Sequence, residues 1–113
     1  MQSESYSQNL EIANLYLSNL KRLMDLLRAA FRVDDLPVVI GRISDSGNDA
    51  DGKVWDFGNI VRWQQAKFVN QDENAALVTS TDNYGYSDKW HYNTEGYIDF
   101  GKQFAKEMQE LLK

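Results

Sequence analysis

Apolar side chains follow two kinds of spacing along the chain, and together these spacings predict five elements. Over residues 7–32, and again over 94–112, apolar positions recur every three or four residues, which is the period of an amphipathic helix. A shorter helix is predicted over 57–69 on the same ground. The segments 36–41 and 75–80 are short, continuous apolar runs, which are typical of strands buried on both faces.

The order helix, strand, helix, strand, helix predicts an α/β fold. Two strands joined through a helix normally pair in parallel with a right-handed crossover. Two parallel strands form a small sheet, and buried parallel strands need neighbours on at least one edge. We therefore expect residues 1–113 to form a single domain that corresponds to the second half of a larger α/β domain.

Composition narrows the classes of function. The chain has 12 Lys and Arg against 17 Asp and Glu, a net charge of −5, which argues against nucleic-acid or anionic-membrane binding. It has no Cys and one His, so thiolate and multi-histidine metal sites are excluded, and we expect no metal and no cofactor. No apolar run approaches the roughly 20 residues of a membrane span, and no secretory signal is visible. The sequence does not indicate a cellular compartment.

The strongest candidate for chemistry is the pair Asp88 and His91, three residues apart in the polar loop 81–93. On an irregular loop this spacing lets the carboxylate bind one imidazole nitrogen, which leaves the other nitrogen to act as a general base. The loop follows the carboxyl end of the predicted strand 75–80, the edge at which open α/β sheets collect active sites. The alternative is a hydrogen-bonded surface pair with no catalytic role.

The residues around this pair carry a family resemblance. The segment 87–101, SDKWHYNTEGYIDFG, resembles the last conserved block of the SGNH hydrolases, an Asp-x-x-His followed by a small polar stretch and a helix. It is most similar to the acetylxylan esterases and sialate O-acetylesterases, and the strand 36–41 is similar too. At the amino terminus, residues 1–5 (MQSES) resemble the Gln-Gly-Glu-Ser block of the same branch, with Ser3 in place of Gly.

The resemblance implies a partial three-layer α/β/α fold of the flavodoxin-like SGNH type, with two parallel strands and three helices in this chain. It also implies a serine esterase that acts on acetylated carbohydrates or small acetyl esters. Asp88 would orient His91, and His91 would activate a serine. Gln2 would contribute a side-chain N–H to the oxyanion hole, and Glu4 would hold that segment by hydrogen bonds. Trp90 is a candidate for stacking on a sugar ring.

One part of the family pattern does not occur in this sequence. The family nucleophile lies in a Gly-x-Ser-Asn turn after the first strand, and a second block supplies a backbone Gly donor. We therefore expect a C-terminal portion of an esterase that carries the Asp–His pair, lacks the nucleophile and has little or no activity alone.

Two other functional classes remain open from the residues. The chain is alternatively a non-catalytic helical interaction module or a small α/β ligand-binding module. In any of these classes, missing strands would expose a sheet edge and apolar helix faces, so we expect self-association through them. Tyr97 is expected in the core, because it lies on the apolar stripe of the last predicted helix.

Overall fold

Residues 8–44, 48–49 and 52–113 are described by the computed structural model. Within these residues the secondary structure comprises four α-helices, one 3-10 helix and four short strands. In chain order they are α1 (Leu10–Ala13), α2 (Tyr16–Phe31), β1 (Val38–Gly41), β2 (Asn48–Asp49), β3 (Gly52–Lys53), α3 (Gly58–Gln71), β4 (Ala75–Val78), the 3-10 helix (Ser80–Asn83) and α4 (Thr94–Leu111).

The main sheet consists of β1 and β4, paired in parallel and connected through α3. Val38 lies opposite Ala75, and Gly41 lies opposite Val78. The N–H of Arg42 donates to the carbonyl of Val78 at 2.9 Å, which extends the pairing by one residue. The prediction of an α/β fold with two parallel strands is therefore confirmed, with strands somewhat shorter than the apolar runs.

Helices cover both faces of this sheet. Val38, Ile40 and Ala75 pack into the hydrophobic core together with α2 and α3. Successive side chains of a strand point to opposite faces, so Gly41 belongs to the other face, where the Phe100 and Phe104 rings of α4 lie against its Cα. The described residues thus form three layers, with α2 and α3 on one side of the strands and α4 on the other.

The first predicted helix is not continuous, and the prediction of one helix over 7–32 is wrong. In a regular helix the N–H of Leu17 would donate to the carbonyl of Ala13. Instead the buried side chain of Gln64 inserts between them: its Nε2 donates to the Ala13 carbonyl at 2.7 Å, and its Oε1 accepts from the Leu17 N–H at 2.5 Å. A side chain inserted into the ladder breaks a helix without any Pro or Gly, and here it separates α1 from α2.

The neighbouring glutamine ties α3 to the end of the sheet. Gln65 is fully buried, and its Oε1 accepts from the Ile43 N–H at 2.9 Å. Its Nε2 donates to the carbonyl of Gly41 at 3.3 Å and to the hydroxyl of Tyr16 at 3.2 Å. A buried amide is tolerated only when its polar atoms are paired, so these bonds fix the carboxyl end of β1 against α2 and α3.

The polar segment 45–53, predicted as a loop, contains the two-residue strands β2 and β3. They pair antiparallel, with Asn48 opposite Lys53 and Asp49 opposite Gly52. Gly52, the first residue of β3, has φ of 129°, a conformation that favours glycine. Among the described helices, none has the length and apolar character that crossing a bilayer requires.

Candidate active site

The carboxyl ends of β1 and β4 lie at the same edge of the sheet, where two arginines share one carboxylate. Arg42 donates to the carbonyl of Thr79 at 2.9 Å and to Asp82 at 2.7 Å. Arg62 donates to the carbonyl of Ile43 at 2.8 Å and to both oxygens of Asp82 at 2.8 and 3.1 Å. The hydrogen bond from Arg62 is the main cause that lowers the pKa of Asp82. These contacts connect the carboxyl ends of β1 and β4 at a point just before the loop that carries Asp88 and His91.

The loop after the 3-10 helix closes on itself, and we call residues 85–93 the His loop. The N–H of Asn93 donates to the carbonyl of Gly85 at 2.9 Å, and the N–H of Ser87 donates to the carbonyl of His91 at 2.8 Å. Between these two bonds, Tyr86 and Tyr92 form an antiparallel bridge. The His loop is therefore a short hairpin, with Asp88 and His91 near its tip.

Asn93 joins the His loop to α4. Its Oδ1 accepts from the N–H of Gly96 at 2.9 Å, which is the N-cap interaction of this helix. Gly85 permits the close approach of the two loop ends, because a Cβ at this position would lie 2.6 Å from Nδ2 of Asn93. The base of the loop is thereby fixed to the first turn of α4.

At the tip of the loop, the carboxylate of Asp88 has three N–H partners. Its Oδ1 accepts from the backbone N–H of Trp90 at 2.8 Å and of His91 at 2.7 Å. The Nδ1 of His91 lies 2.8 Å from Oδ2 and 3.0 Å from Oδ1. These bonds, that of Trp90 first, lower the pKa of Asp88. A carboxylate held in this way selects the neutral tautomer with its proton on Nδ1, which leaves Nε2 as the proton acceptor.

The two serines nearest to His91 in the sequence, Ser80 and Ser87, have hydrogen-bond partners other than its imidazole. Ser80, at the end of β4, lies with its Oγ 2.6 Å from the hydroxyl of Tyr84, which donates to Asp99 at 2.6 Å. Burial and this carboxylate raise the pKa of Tyr84, so its hydroxyl keeps its proton. With that proton donated to Asp99, the Tyr84 oxygen accepts from Ser80 and is too weak a base to activate it. Ser87 donates to backbone carbonyls of its own loop. Neither hydroxyl has the adjacent base that an activated nucleophile needs.

Of the other residues singled out in the sequence, two lie outside the described part of the chain and two lie at the surface. Gln2 and Glu4 lie outside the described residues, so their oxyanion and supporting roles stay predictions. Trp90 is 47% exposed next to His91, as a ligand-facing ring must be. The expectation that Tyr97 belongs to the core is wrong, since 49% of it is exposed. Its ring meets Tyr92 edge-on at 5.4 Å, in the first turn of α4.

One feature of the site, the pair of arginines on Asp82, was not predicted from the sequence. The Arg42–Asp82–Arg62 contacts had a partial signal, because Arg42 follows one predicted strand and Asp82 follows the other. Parallel strands bring their carboxyl ends to one edge, so these two opposite charges are neighbours. Arg62 had no such signal, since its position depends on the packing of α3.

A parallel α/β sheet with a carboxylate–imidazole pair on the loop beyond a strand's carboxyl end is an arrangement found among α/β hydrolases. A family model described as carbohydrate esterase, sialic acid-specific acetylesterase, matches residues 1–110. The chain belongs to this family. Searches of curated proteins and of solved structures with this sequence give no match.

Proposed function

We propose that this chain supplies the Asp–His half of a serine esterase site that removes acetyl groups from carbohydrates. The observation that carries the proposal is the contact between the Asp88 carboxylate and Nδ1 of His91, at the sheet edge where such sites collect, in a member of a carbohydrate acetylesterase family. The family relationship supports acetylated sugars as the substrate class. The residue roles are our assignment.

In this proposal His91 moves one proton through the reaction. Its Nε2 takes the proton from a serine hydroxyl as that oxygen attacks the acetyl carbonyl, and the Asp88 carboxylate stabilises the resulting imidazolium. The imidazolium then gives the proton to the sugar oxygen as the ester bond breaks. In the second half a water attacks the acetyl-serine, with His91 again taking and returning the proton, and acetate leaves.

Neither Ser80 nor Ser87 is the attacking serine in this scheme. Ser80 and Ser87 are committed to other hydrogen bonds, as shown above. Gln2 remains our candidate for an oxyanion donor, with Glu4 supporting the same segment. Trp90, exposed beside His91, is our candidate for contact with the sugar, because an aromatic face packs against the apolar face of a pyranose.

Our expectation that this chain lacks the nucleophile is tested by ester hydrolysis. Purified chain is incubated with an activated acetyl ester, with His91→Ala as the matched control. We expect both proteins to hydrolyse the ester at the same low rate, since a triad without its serine retains only the effects of binding and oxyanion donors, about 10³–10⁴-fold over water in the best case. Fast turnover that disappears in His91→Ala would show that the chain holds a functional nucleophile.

The substrate class is tested independently of turnover. The ¹H–¹⁵N spectrum of the chain is recorded with an O-acetylated sialic acid and with the same sugar lacking the O-acetyl group. We expect concentration-dependent shifts of the Trp90 indole N–H and the His91 amide, larger for the acetylated sugar. Equal shifts would contradict recognition of the ester, and no shift in the His loop would contradict the site.

A second proposal concerns association between copies of the chain. Leu23, Leu27 and Phe31 form an exposed apolar stripe at spacings of four residues on α2, with Leu26 exposed beside it. Apolar faces of this kind on soluble proteins mark interaction sites. We expect a concentration-dependent dimer in light scattering, weakened by Phe31→Glu. A stable monomer at high concentration would contradict this proposal.

A further inference from the structure

The geometry points to Tyr92 as the residue that positions the Asp88–His91 pair. This inference rests on the proposed role of His91, and it assigns a function to the residue beside it. The side chains of Asp88 and His91 are 48% and 61% exposed, so little protein packs around them. Their relative position must therefore come from the backbone of the His loop and from whatever anchors that loop.

Tyr92 is the anchor that the contacts indicate. It is only 8% exposed, whereas the neighbouring His91 lies at the surface. Adjacent side chains of an extended segment point in opposite directions, so burying the Tyr92 ring turns the imidazole outward. The ring of Tyr92 lies within 6 Å of four other aromatic rings, those of Tyr84, Tyr86, Tyr97 and Phe100, at 5.3, 5.7, 5.4 and 5.8 Å between centroids.

Three of the four neighbouring rings lie outside the His loop, on both sides of it in the sequence, and the fourth, Tyr86, belongs to the loop. Tyr97 and Phe100 belong to α4, so they connect Tyr92 to the helix that packs on the sheet. Tyr84 precedes the loop and is held separately by Ser80 and Asp99. Aromatic pairs in edge-on geometry contribute about 0.5–1.5 kcal/mol each beyond the area they bury.

Tyr86 depends on Tyr92 in a way the other rings do not. Its ring has a described aromatic contact with Tyr92, and its backbone pairs with Tyr92 across the hairpin. The strand of the hairpin that leads to Asp88 is thus connected to α4 through Tyr92. Removal of the Tyr92 ring should loosen both strands of the hairpin, and with them the two ends of the Asp88–His91 contact.

The test compares Tyr92→Leu with Tyr92→Phe, and uses Phe104→Leu as the matched control. Phe104 packs on Phe100 and over Gly41, on the sheet side of α4, so its loss weakens the fold without touching the His loop. The readouts are the pKa of the Asp88 carboxyl, followed by carbon NMR, and hydrogen exchange of the His91 amide, which donates to Asp88.

We expect Tyr92→Leu to raise the pKa of Asp88 toward its ordinary range and to speed exchange of the His91 amide about tenfold or more. Tyr92→Phe keeps the ring and should stay close to the parent. Phe104→Leu should lower the melting temperature and leave both readouts unchanged. Tyr86→Leu, which removes one ring from the surface of the cluster, should give a smaller change of the same sign and serves if Tyr92→Leu does not fold.

Two outcomes would overturn the inference. One is a folded Tyr92→Leu with the Asp88 pKa and the His91 exchange rate of the parent protein. The other is a Phe104→Leu variant that alters both as strongly as Tyr92→Leu, which would make the effect one of general stability. Both readouts report geometry rather than turnover, so they remain decisive if the chain binds no acetylated sugar.

Discussion

The substitution Gly41→Ala tests how closely α4 packs on the sheet beneath the site. A Cβ at position 41 would lie 2.8 Å from Cε1 of Phe100, with Cζ of that ring closer still, and 2.9 Å from Cζ of Phe104. Carbon atoms make optimal contact at about 3.5–4.0 Å. Both rings would therefore have to move, and they already pack on each other with centroids 4.7 Å apart.

The expected cost follows from that geometry. Adding a methyl group to a well-packed interior costs about 1–3 kcal/mol. We expect about 2 kcal/mol here, because Phe100 also packs against the rings of Tyr84 and Tyr92. For a chain of this size that corresponds to a fall in melting temperature of about 8 °C. Thermal unfolding followed by circular dichroism measures it.

Gly101→Ala on α4 is the control, with the opposite expected sign. Nothing lies within 4 Å of a Cβ at this position, and Gly in a helix interior costs about 0.5–1 kcal/mol relative to Ala. We expect a rise of about 3 °C. If Gly41→Ala melts at or above the parent temperature while Gly101→Ala behaves as expected, the close packing of α4 on β1 is wrong.

Three further predictions concern the contacts that hold the fold around the site. Asp72→Ala should cost about 2 kcal/mol in urea unfolding, because it leaves the little-exposed Arg28 without its carboxylate partner. The hydrogen bond from Arg28 lowers the pKa of Asp72 below its ordinary 3.8. This stabilisation is therefore complete above pH 3.8 and is lost as the pH falls through the folded-state pKa. An equal difference in the free energy of unfolding between the parent and Asp72→Ala at acid and neutral pH would contradict it. Gln64→Ala should cost about 2 kcal/mol by unpairing two backbone groups, and unchanged stability would show that α1 and α2 simply rejoin. Gly85→Ala should displace the Asn93 side chain and cost about 1 kcal/mol in thermal unfolding, the usual contribution of an N-cap hydrogen bond. The losses of Gly85→Ala and Asn93→Ala should therefore be non-additive in the double variant, and additive losses would refute this.

The elements that the sequence predicts correctly are those set by residues close together in the chain. The strands β1 and β4, the helices α3 and α4, and the parallel pairing all follow from spacing and element order. The Asp88–His91 contact follows from two residues three positions apart. Each of these depends on neighbours in the sequence or on a general rule of chain connection.

The features that the sequence does not predict are those that depend on a residue far away in the chain. The break between α1 and α2 is caused by Gln64, 47 residues from Leu17, and the periodicity of residues 10–31 contains no sign of it. Tyr97 fits the apolar stripe of α4, yet its turn packs on the His loop rather than on the sheet, which leaves half of the ring exposed. The buried role of Tyr92 likewise depends on rings from α4.

The central claim is that Asp88 fixes His91 so that Nε2 accepts a proton, and nitrogen NMR of the His91 ring tests it most directly. At alkaline pH, where free imidazole is neutral, the account predicts one tautomer with the proton on Nδ1 and an unprotonated Nε2. Asp88→Asn, at an exposed position, should leave the fold intact and lose this preference. A proton on Nε2 in the parent protein, or the same tautomer mixture in both proteins, would contradict the claim.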